Sequence, residues 1–298
     1  MSVTVHNPYA DLSEGRWVRG NFHTHCRENS GCASVEFFQV VRLYRNIGAE
    51  FLAFTDHDTV TDLSRVRNAY PEMAFLEGFE HSRDEHMLFI GETVEPLFAL
   101  PAPEALHRAE HLLTIMCHPE PWPGEAYWTL DKLNRLPRRP DGLEIYDGHY
   151  GISKKIMNGA NPLYTRRWDE FLTAGVRLWG YCNDDFHEPE DFNNAFNMVW
   201  VRYLTATEVV RSAKAGRCYG STGLILDSIS ERNGRITIRT AAAGTGTGRF
   251  IGPEGKVLSQ TQGRDFEYQL TNEPYIRFEA EAAEGNLYLQ PFFQINLA

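Results

Sequence analysis

Trp-Val-Arg-Gly-Asn-Phe-His-Thr-His, residues 17–25, is a short stretch with apolar positions that ends in two histidines one residue apart. Its composition predicts a buried strand. Residues two apart on a strand point to the same face, so His23 and His25 can direct their imidazoles at one ion. A pair of this kind is a weak signal alone, because a single histidine is more often a hydrogen-bonded or surface residue. The interpretation therefore depends on the segments that follow.

Other predicted strands in the chain also end in residues of the types that bind metals. The residues that follow these apolar runs are Asp56, His57, Glu80, His118, Asp185 and His187. In a parallel barrel the carboxyl ends of the strands converge on one face, where catalytic groups lie. It is improbable that residues of metal-binding types would occur by chance at all of these strand ends. The sequence therefore predicts a metal site at that face.

Short apolar segments alternate with amphipathic ones from about residue 16 to about residue 222, which is typical of an α/β fold with a parallel sheet. Helices are predicted over Ser34–Asn46, over Pro103–His111, and from a capping motif at Thr205 to about Gly216. The predicted strands are Trp17–His25, Phe51–Asp56, Ala74–Glu80, His86–Gly91, Leu112–His118, Gly142–Tyr146 and Val176–Asp185. We expect these elements to form one barrel domain, residues 1–222.

After Gly223 the pattern changes to short strands separated by glycine, asparagine and proline turns. We expect residues 223–298 to form a small C-terminal antiparallel β domain that resembles a sandwich. Residues 241–248, Ala-Ala-Ala-Gly-Thr-Gly-Thr-Gly, are predicted to be a flexible loop. The predicted strands are Leu224–Ile229, Arg235–Thr240, Arg249–Ile251, Lys256–Ser259, Phe266–Leu270, Tyr275–Glu281 and Leu287–Asn296.

The charge balance limits the classes of partner. The chain has 40 acidic and 29 basic residues, and its formal net charge is −11. This excess of negative charge argues against broad affinity for nucleic acid or for an anionic membrane surface. We expect a small-molecule substrate that is anionic. Because the protein as a whole is negatively charged, positive charge close to the site would have to attract this substrate.

Cysteine usage and the absence of long apolar runs indicate the compartment. The five cysteines are scattered and show no C-x-x-C spacing, which is typical of reduced thiols. The opening residues show no charged segment followed by an apolar core, and no run of about 18 apolar residues occurs. We therefore expect a cytoplasmic protein without a leader or a membrane span. The sequence does not indicate its oligomeric state.

The order and spacing of the motifs resemble those of a known group of metal-dependent enzymes. His23-Thr-His25, Thr55-Asp-His57, Gly78-Phe-Glu80, His86, His118-Pro119 and Asp185-Phe-His187 look like the ordered motifs of the PHP (polymerase and histidinol phosphatase) superfamily, over about residues 17–222. The segments 168–175, 184–187 and 215–223 further resemble the branch that includes carbamate-ester hydrolases, which often carries a C-terminal β domain. The resemblance implies a distorted (β/α)7 barrel that holds two to three divalent metal ions.

The resemblance also implies which residues bind these ions. His23, His25, Glu80 and Asp185 would hold the first ion, and Glu80 would bridge to a second ion held by His86 and His118. A third ion would use His57 and His187. Family members commonly complete this third site with an Asp or His where this chain has Ser30. The third ion is therefore in doubt, and the alternatives are weak binding, absence, or completion by a neighbour such as Glu28.

Two ions bridged by a carboxylate would activate water at neutral pH, so no serine or cysteine nucleophile is required. We expect Glu80, Asp185, His187 and Arg27 to act in catalysis, and Asp56 to orient an imidazole from behind it. Imidazole-rich sites with oxygen ligands suit zinc, manganese or iron. Cys26 is interpreted as a buried small residue. The candidate substrate contacts are Arg27, His149, Lys154 and Arg217, for each of which an ion pair or a solvated loop position is the alternative role.

Several aromatic residues follow the later predicted strands. They would either wall a pocket or pack helices against the barrel; these residues are Trp122, Tyr127, Trp128, Tyr146 and Tyr150.

The leading functional hypothesis is hydrolysis of a small phosphate ester, as in a phosphatase or phosphodiesterase. A carboxylic or carbamate ester hydrolase with the same metal centre is the alternative, and a non-catalytic metal-containing binding protein is a third. The acidic charge and the absence of a polymerase domain argue against a polymerase-linked exonuclease.

Overall fold

The protein is described by a computed structural model that covers residues 5–295. It is a mixed α/β structure with one large sheet and a separate three-stranded antiparallel sheet. In chain order, the strands of the first part are β1 (Val5–His6), β2 (Arg16–Asn21), β3 (Phe51–Phe54), β4 (Ala74–His81), β5 (Met87–Gly91), β6 (Leu113–Met116), β7 (Gly142–Asp147), β8 (Trp179–Asn183), β9 (Phe196–Val201) and β10 (Cys218–Ser221).

The strand directions explain why the predicted motifs lie at one edge. Strands β2, β3 and β4 are parallel neighbours, and so are β6, β7 and β8. Strand β5 lies between β4 and β6 and is antiparallel to both. Because β5 runs in reverse, its first residues lie beside the last residues of its neighbours. His86, just before β5, therefore reaches the same edge as the residues that end β4 and β6.

Strands β9 and β10 were not predicted from the sequence. Strand β9 pairs antiparallel with β2, and β10 pairs antiparallel with β9. Helix α7 (Ala206–Lys214), which was predicted, lies between these two strands in the sequence. The large sheet therefore mixes parallel and antiparallel pairs rather than being parallel throughout.

The bounds of the helices are α1 (Phe37–Asn46), α2 (Ser64–Ala69), α3 (Ala102–Arg108), α4 (Leu130–Arg135), α5 (Ser153–Met157), α6 (Thr165–Thr173) and α7 (Ala206–Lys214), with 3₁₀ turns at Leu97–Ala99, Pro189–Asp191 and Pro253–Gly255. Helices α1, α6 and α7 are amphipathic and bury their apolar faces, whereas α5 has no buried residue. Helix α1 begins at Phe37 rather than Ser34, because Glu36 still has extended dihedral angles. The Thr205 hydroxyl caps α7 by accepting a hydrogen bond from the Glu208 backbone N–H at 3.2 Å.

The last quarter of the described chain is almost entirely antiparallel β-structure. Its strands are β11 (Leu226–Arg232), β12 (Arg235–Thr240), β13 (Gly246–Ile251), β14 (Val257–Gly263), β15 (Asp265–Gln269), β16 (Tyr275–Ala282), β17 (Gly285–Leu289) and β18 (Phe292–Gln294). Strands β11, β12 and β15 form the separate sheet. Strand β17 pairs with both β16 and β10, so the antiparallel strands continue the large sheet. The division at residues 222 and 223 stays a prediction.

The prediction of a flexible loop over residues 241–248 was wrong for its last part. Strand β13 begins at Gly246 and is paired on both sides, by β14 and by β16. A Cβ atom at Gly248 would lie 2.5 Å from ring atoms of Phe266, which belongs to the separate sheet. Glycine at position 248 thus allows two sheets to approach closely, and it does not indicate mobility.

Strands β8 and β9 are connected by a side chain. Strand β8 ends the path of paired strands in the large sheet, and among residues 5–295 no backbone ladder joins it to β9. The buried amide of Asn197 in β9 bridges the gap. It accepts a hydrogen bond from Cys182 N at 3.1 Å and donates one to Cys182 O at 2.7 Å. Asn197 therefore substitutes for ladder hydrogen bonds at this position.

Within the described part of the chain, none of the helices has the length and apolar character needed to cross a bilayer. Two predictions fall partly on other residues. Residues 1–4, which belong to the opening segment, and Asn296, predicted as the end of the last strand, lie outside the described residues.

Candidate metal centre

Eight predicted metal ligands converge at one edge of the large sheet. His23 and His25 follow β2, His57 follows β3, Glu80 lies near the end of β4, His86 precedes β5, His118 follows β6, and Asp185 and His187 follow β8. Six of the eight are buried, while His57 and His86 are partly exposed. The fold therefore brings residues from distant parts of the sequence into one cluster.

Glu80 lies at the centre of this cluster, and its two carboxylate oxygens face different imidazoles. Its Oε2 lies 3.3 Å from His23 Nε2, 3.4 Å from His25 Nε2 and 3.0 Å from His57 Nδ1. Its Oε1 lies 2.7 Å from His86 Nδ1 and 3.3 Å from His118 Nε2.

A carboxylate in this position can hold one cation with each oxygen.

Asp185 completes the set of donors on one side of Glu80. Its Oδ1 lies 3.1 Å from His23 Nε2 and 3.2 Å from His25 Nε2. Donor atoms of His23, His25, Glu80 and Asp185 lie within 4.8 Å of one another, and all four residues are buried. This arrangement has the donor types and the compactness of a site for one transition-metal ion.

A further group of imidazoles lies beside the first. The ring of His25 is 4.6 Å from that of His57 and 4.2 Å from that of His187, centroid to centroid. Cys32, in the loop after β2, is close enough to His57 and His187 for its thiol to raise the pKa of both imidazoles. The sequence analysis did not consider this residue.

Several donor atoms in the cluster have no hydrogen-bond partner. Among the described residues, His23 Nε2, His57 Nδ1 and Glu80 Oε2 are buried and make no hydrogen bond of acceptable geometry. Buried polar atoms without a partner cost free energy unless another group satisfies them. Atoms of this kind that point at each other fit a bound cation, so the residues present fit divalent metal ions.

The electrostatics of the cluster favour ionised carboxylates. Burial alone would raise the pKa of Glu80, but His23 and the neighbouring imidazoles outweigh it and hold this pKa well below its usual range. Burial would likewise raise the pKa of Asp185, and His23 and His187 lower it. The pKa of His25 is lowered well below its usual value by burial and by His187. Ionised carboxylates beside a neutral imidazole are the forms that coordinate a cation.

The pKa values of His57 and His187 are shifted in the opposite direction from that of His25. Burial would lower the pKa of His57, but the neighbouring Cys32 thiol and Glu80 carboxylate raise it to about 10. Burial would also lower the pKa of His187, and the charge of Asp185 with the hydrogen bond of Cys32 raises it to about 9. Conversely, burial would raise the pKa of the Cys32 thiol, while hydrogen bonds with His187 and His57 lower it to about 6.

Two ligand positions have unusual backbone conformations. His118 has a φ of 23° and Asp185 has a φ of 48°, in the left-handed region that residues other than glycine rarely adopt. The surrounding structure fixes both. The Glu144 carboxylate accepts a hydrogen bond from His118 N at 2.7 Å, and Phe186 N donates to His23 O.

Glu144 holds the cluster from behind, and the sequence analysis missed it. Its Oε1 lies 2.7 Å from His23 Nδ1, so it orients the imidazole whose Nε2 faces Glu80 and Asp185. The same oxygen accepts a hydrogen bond from Asn183 Nδ2 at 2.9 Å. The available signal was a carboxylate inside the apolar strand Gly142-Leu-Glu-Ile-Tyr, where a charged residue needs a buried partner.

Asp56 acts on the cluster less directly than expected. Its Oδ1 accepts hydrogen bonds from Cys26 N at 2.8 Å and from Ser30 Oγ at 2.7 Å. Ser30 Oγ in turn lies 3.1 Å from His25 Nδ1 and accepts a hydrogen bond from His57 N at 3.2 Å. Asp56 therefore positions the loop after β2 and reaches the His25 imidazole only through Ser30.

The structure does not bring three of the four candidate substrate contacts to the cluster. Arg27 is exposed and pairs with Glu36 at 2.6 Å. Lys154 pairs with the exposed ends of Glu188 and Glu190. The backbone of Arg217 bonds to Trp200, which is paired with Trp17 near the start of β2, so Arg217 lies at the opposite end of the sheet.

His149 does reach the cluster. Its ring lies 4.7 Å from that of His187, and its Nδ1 lies 2.9 Å from Asp191 Oδ1. Lys155, which the sequence analysis passed over in favour of Lys154, contacts His149 Nε2 and lies over the ring of Tyr150. The positively charged neighbour of the cluster is thus Lys155, because residue 154 points from α5 towards the acidic residues 188 and 190.

Aromatic residues flank the other side of the cluster. The ring of Tyr127 lies 5.6 Å from that of His118, and the ring of Tyr150 lies 5.5 Å from it. Trp122 packs edge-on against Tyr150 at 6.0 Å. Trp128 is buried and donates from Nε1 to the backbone oxygen of His86. Tyr127, Tyr150 and Trp122 therefore contribute a wall, while Trp128 supports a ligand.

One solved structure shares this fold over nearly the whole chain. It is a two-domain protein from Bacteroides vulgatus that contains a predicted PHP-like metal-dependent phosphoesterase, with 15% sequence identity, a TM-score of 0.55 and coverage of 98% of each chain. The fold is PHP-like. This agrees with the resemblance drawn from the motifs, and at such low identity it concerns the fold alone.

A second neighbour covers only part of the chain. It is an amidohydrolase from Chromobacterium violaceum with bound sulfate and no metal, with 14% identity, a TM-score of 0.40 and coverage of 57% of this chain and 88% of its own. The family models searched contain none that matches the sequence, and the curated proteins searched gave no match.

Proposed function

We propose that this PHP-like protein is a metal-dependent hydrolase that acts on a small phosphate ester. The observation that carries the proposal is Glu80, whose two oxygens face two separate sets of imidazoles inside a buried cluster. A bridging carboxylate between two groups of metal-binding side chains is the arrangement of a two-metal hydrolytic site. The fold shared with a protein that contains a predicted PHP-like metal-dependent phosphoesterase supports the same reaction class.

The proposed ligand sets follow the geometry. His23, His25, Glu80 and Asp185 would hold one ion. Glu80 with His86 and His118, both of which approach its Oε1, would hold another. When bound, divalent ions lower the pKa of water towards neutrality and polarise the oxygen of a phosphoryl or carbonyl group. Nitrogen-rich donor sets of this kind suit zinc, manganese or iron.

We also propose that strands β2 to β9 close as a distorted barrel around the base of this cluster. The support is the amide of Asn197, which links β9 to Cys182 at the end of the paired strands. A closed barrel would hold residues from β2 and β8 at a fixed separation. This matters because His23 and Asp185 must approach within 3.1 Å.

The chain's own residues would bind and orient the substrate. Lys155 is the cation next to the cluster, and burial lowers its pKa despite the nearby carboxylates. We propose that Lys155 binds an anionic oxygen of the substrate and that His149, positioned by Asp191, holds a proton for the leaving group. Tyr127 and Tyr150 would exclude water from the opposite side.

One observation favours the alternative, hydrolysis of a carboxylic or carbamate ester. Of the cations considered as substrate contacts, Arg27, Lys154 and Arg217 do not lie at the cluster, and the wall beside His118 is aromatic. An aryl ester with little charge would suit such a wall better than a phosphate group. The same metal-activated water would serve both reactions.

A substrate panel on metal-reconstituted protein tests the proposal. The metal-free protein would be loaded with zinc, manganese or iron and assayed with a chromogenic phosphate monoester, a phosphodiester and an aryl ester. We expect metal-dependent hydrolysis of a phosphate ester, and a loss of at least about a hundredfold in Glu80→Gln. Glu77→Gln, the same change on the same strand, serves as the matched control.

The outcomes separate the three hypotheses. Hydrolysis of the aryl ester alone would support the ester hydrolase and contradict the phosphoesterase. Stoichiometric metal without hydrolysis of any compound would support the non-catalytic binding protein. Full activity in Glu80→Gln would refute the bridging role.

A further inference from the structure

Residues 148–161, between β7 and α6, form a loop that leaves the sheet and returns to it at one point. Gly148 N donates a hydrogen bond to Asn183 O at 2.8 Å, and Asp147 N, at the end of β7, donates one to Pro162 O at 2.9 Å. Compact surface loops whose two ends lie together in this way are frequently functional.

The 148–161 loop reaches across part of the metal cluster. The ring of His149 lies 4.7 Å from that of the proposed ligand His187, which follows β8. The ring of Tyr150 lies 5.5 Å from that of the proposed ligand His118, which follows β6. The loop therefore covers the cluster between the ends of these two strands.

Apolar packing holds this loop only weakly. Helix α5, which lies within the loop, has no buried residue, and its Ile156 and Met157 are 44% and 79% exposed. Ile152 and Ala160 are buried, but neither belongs to a hydrophobic core cluster of residues 5–295. Segments with few buried apolar contacts open at a low cost in free energy, and active-site lids are segments of this kind.

Charged side chains attach the loop where apolar packing does not. Lys154 Nζ lies 2.6 Å from Glu188 Oε1 and 2.9 Å from Glu190 Oε2. On the inner side of the loop, His149 Nδ1 lies 2.9 Å from Asp191 Oδ1, although this contact lacks the geometry of a hydrogen bond. All three carboxylates lie in one turn after β8, so that turn attaches the loop from two sides.

The turn itself is fixed to the metal cluster. Asp191 is buried, and its Oδ2 accepts hydrogen bonds from His187 N at 2.8 Å and from Glu188 N at 2.9 Å. The Lys154 side chain, in contrast, is 49% exposed. Exposed ion pairs are individually weak and are screened by salt. The ion pairs of Lys154 are therefore the part of this attachment that can break while the turn stays in place.

We infer that Lys154 latches this loop over the metal cluster as a lid, through its ion pairs with Glu188 and Glu190. Lys154 is then a positioning residue, because the closed latch keeps Lys155 beside the cluster. When the latch opens, the side chains of the 148–161 loop move away from the cluster together. The kinetic consequence of the latch rests on the proposed function, whereas the latch itself does not.

Hydrogen–deuterium exchange of the full chain tests the latch without reference to any reaction. Lys154→Met keeps a side chain of similar length and removes the charge. We expect the amides of residues 148–161 to exchange about two- to tenfold faster in this variant, because two exposed ion pairs are lost. Lys154→Arg should restore the wild-type rate, and added salt should accelerate exchange in the wild-type protein but not in Lys154→Met.

Arg45→Met is the matched control. Arg45 is also 49% exposed, and it pairs with Glu72 at 2.6 Å in an ion pair that does not involve the loop. Unchanged exchange of the loop in Lys154→Met, or equal acceleration of this exchange in Arg45→Met, would overturn the inference.

Steady-state kinetics with an ester that the protein hydrolyses tests the consequence. We expect KM to rise at least about threefold in Lys154→Met and to recover in Lys154→Arg. A merely structural role would lower the amount of active protein and leave KM unchanged, which would contradict the positioning role. If the wild-type protein hydrolyses none of the tested esters, the proposed function fails, and the exchange experiment alone decides whether the latch exists.

A double variant separates the latch from direct binding of substrate by Lys154. Glu188→Gln with Glu190→Gln removes the acidic partners and keeps the cation. We expect this variant to show the faster exchange and the higher KM of Lys154→Met. A KM equal to or below the wild-type value would instead indicate that Lys154 binds the substrate itself, and would overturn the positioning role.

Discussion

Glu144 illustrates how a residue outside the ligand set governs metal binding. It fixes the orientation of His23 and satisfies the strained backbone N–H of His118. We expect Glu144→Gln to weaken metal affinity about 10–100-fold, because a carboxylate partner orients the imidazole and raises its basicity. Competition with a chromogenic chelator would measure the change.

Asp141→Asn is the comparison variant for this prediction, since Asp141 is a carboxylate in the same region that pairs with Lys214 and not with the cluster. Equal affinities in Glu144→Gln and the wild-type protein would show that His23 needs no such partner.

The thiol of Cys32 should titrate at an unusually low pH in the metal-free protein. Its pKa is lowered to about 6 by hydrogen bonds with His187 and His57, against an ordinary value of 9.0. Because only the thiolate reacts, alkylation should be near its maximum at pH 7 and should fall only as the pH drops through about 6. Labelling with iodoacetamide, followed by peptide mass spectrometry, measures this profile.

His57→Gln should move the inflection upward, because it removes one of the two imidazoles that stabilise the thiolate. The other cysteines are buried and serve as internal references. An inflection near 9 in the wild-type protein would contradict the assigned contacts.

At the scale of single elements, the connection between β8 and β9 depends on one amide. Asn197→Ala would leave Cys182 N and O buried without the partners that they have now. We expect the free energy of unfolding to fall by about 2–4 kcal/mol, since each unsatisfied buried group costs about 1–3 kcal/mol. Urea denaturation would measure the difference.

Asn194→Ala provides the reference. Asn194 lies nearby, and the hydrogen bonds that its side-chain amide donates are partly exposed to solvent. A destabilisation no larger than that of Asn194→Ala would mean that the link is dispensable.

The elements that the sequence predicted well are those with a local signal. Strand ends bearing His23, Glu80 or Asp185 combine an apolar run with a polar residue of a metal-binding type, and both features are visible over a few residues. Strand β9 was missed because antiparallel pairing with β2 joins residues far apart in the chain. Cys32 and Lys155 were missed because loop and helix geometry decide which neighbour faces the cluster.

At the scale of the whole molecule, a buried ion pair joins α6 to the antiparallel strands. Arg277 in β16 forms two hydrogen bonds of 2.7 Å with the carboxylate of Asp169. Asp169→Asn should lower the free energy of unfolding by about 3–5 kcal/mol, because the guanidinium would stay buried without its main partner. Thermal and urea unfolding would both report it.

The double variant Asp169→Leu with Arg277→Met should be less destabilised than Asp169→Asn, since it removes both charges of this pair. An additive loss in the double variant would contradict this account. The pairing of β17 with β10 likewise joins residues far apart in the chain, so it could not be predicted from a local sequence pattern.

The left-handed backbone at His118 and Asp185 has a consequence for how this protein can change. Glycine would adopt these φ values freely, whereas other residues cost about 1–3 kcal/mol each. Stability and metal binding therefore favour different residues at these two positions. Selection for a stable fold alone would favour glycine, whereas metal binding requires the imidazole of His118 and the carboxylate of Asp185. A relative with glycine at either position would be expected to gain stability and lose its ion.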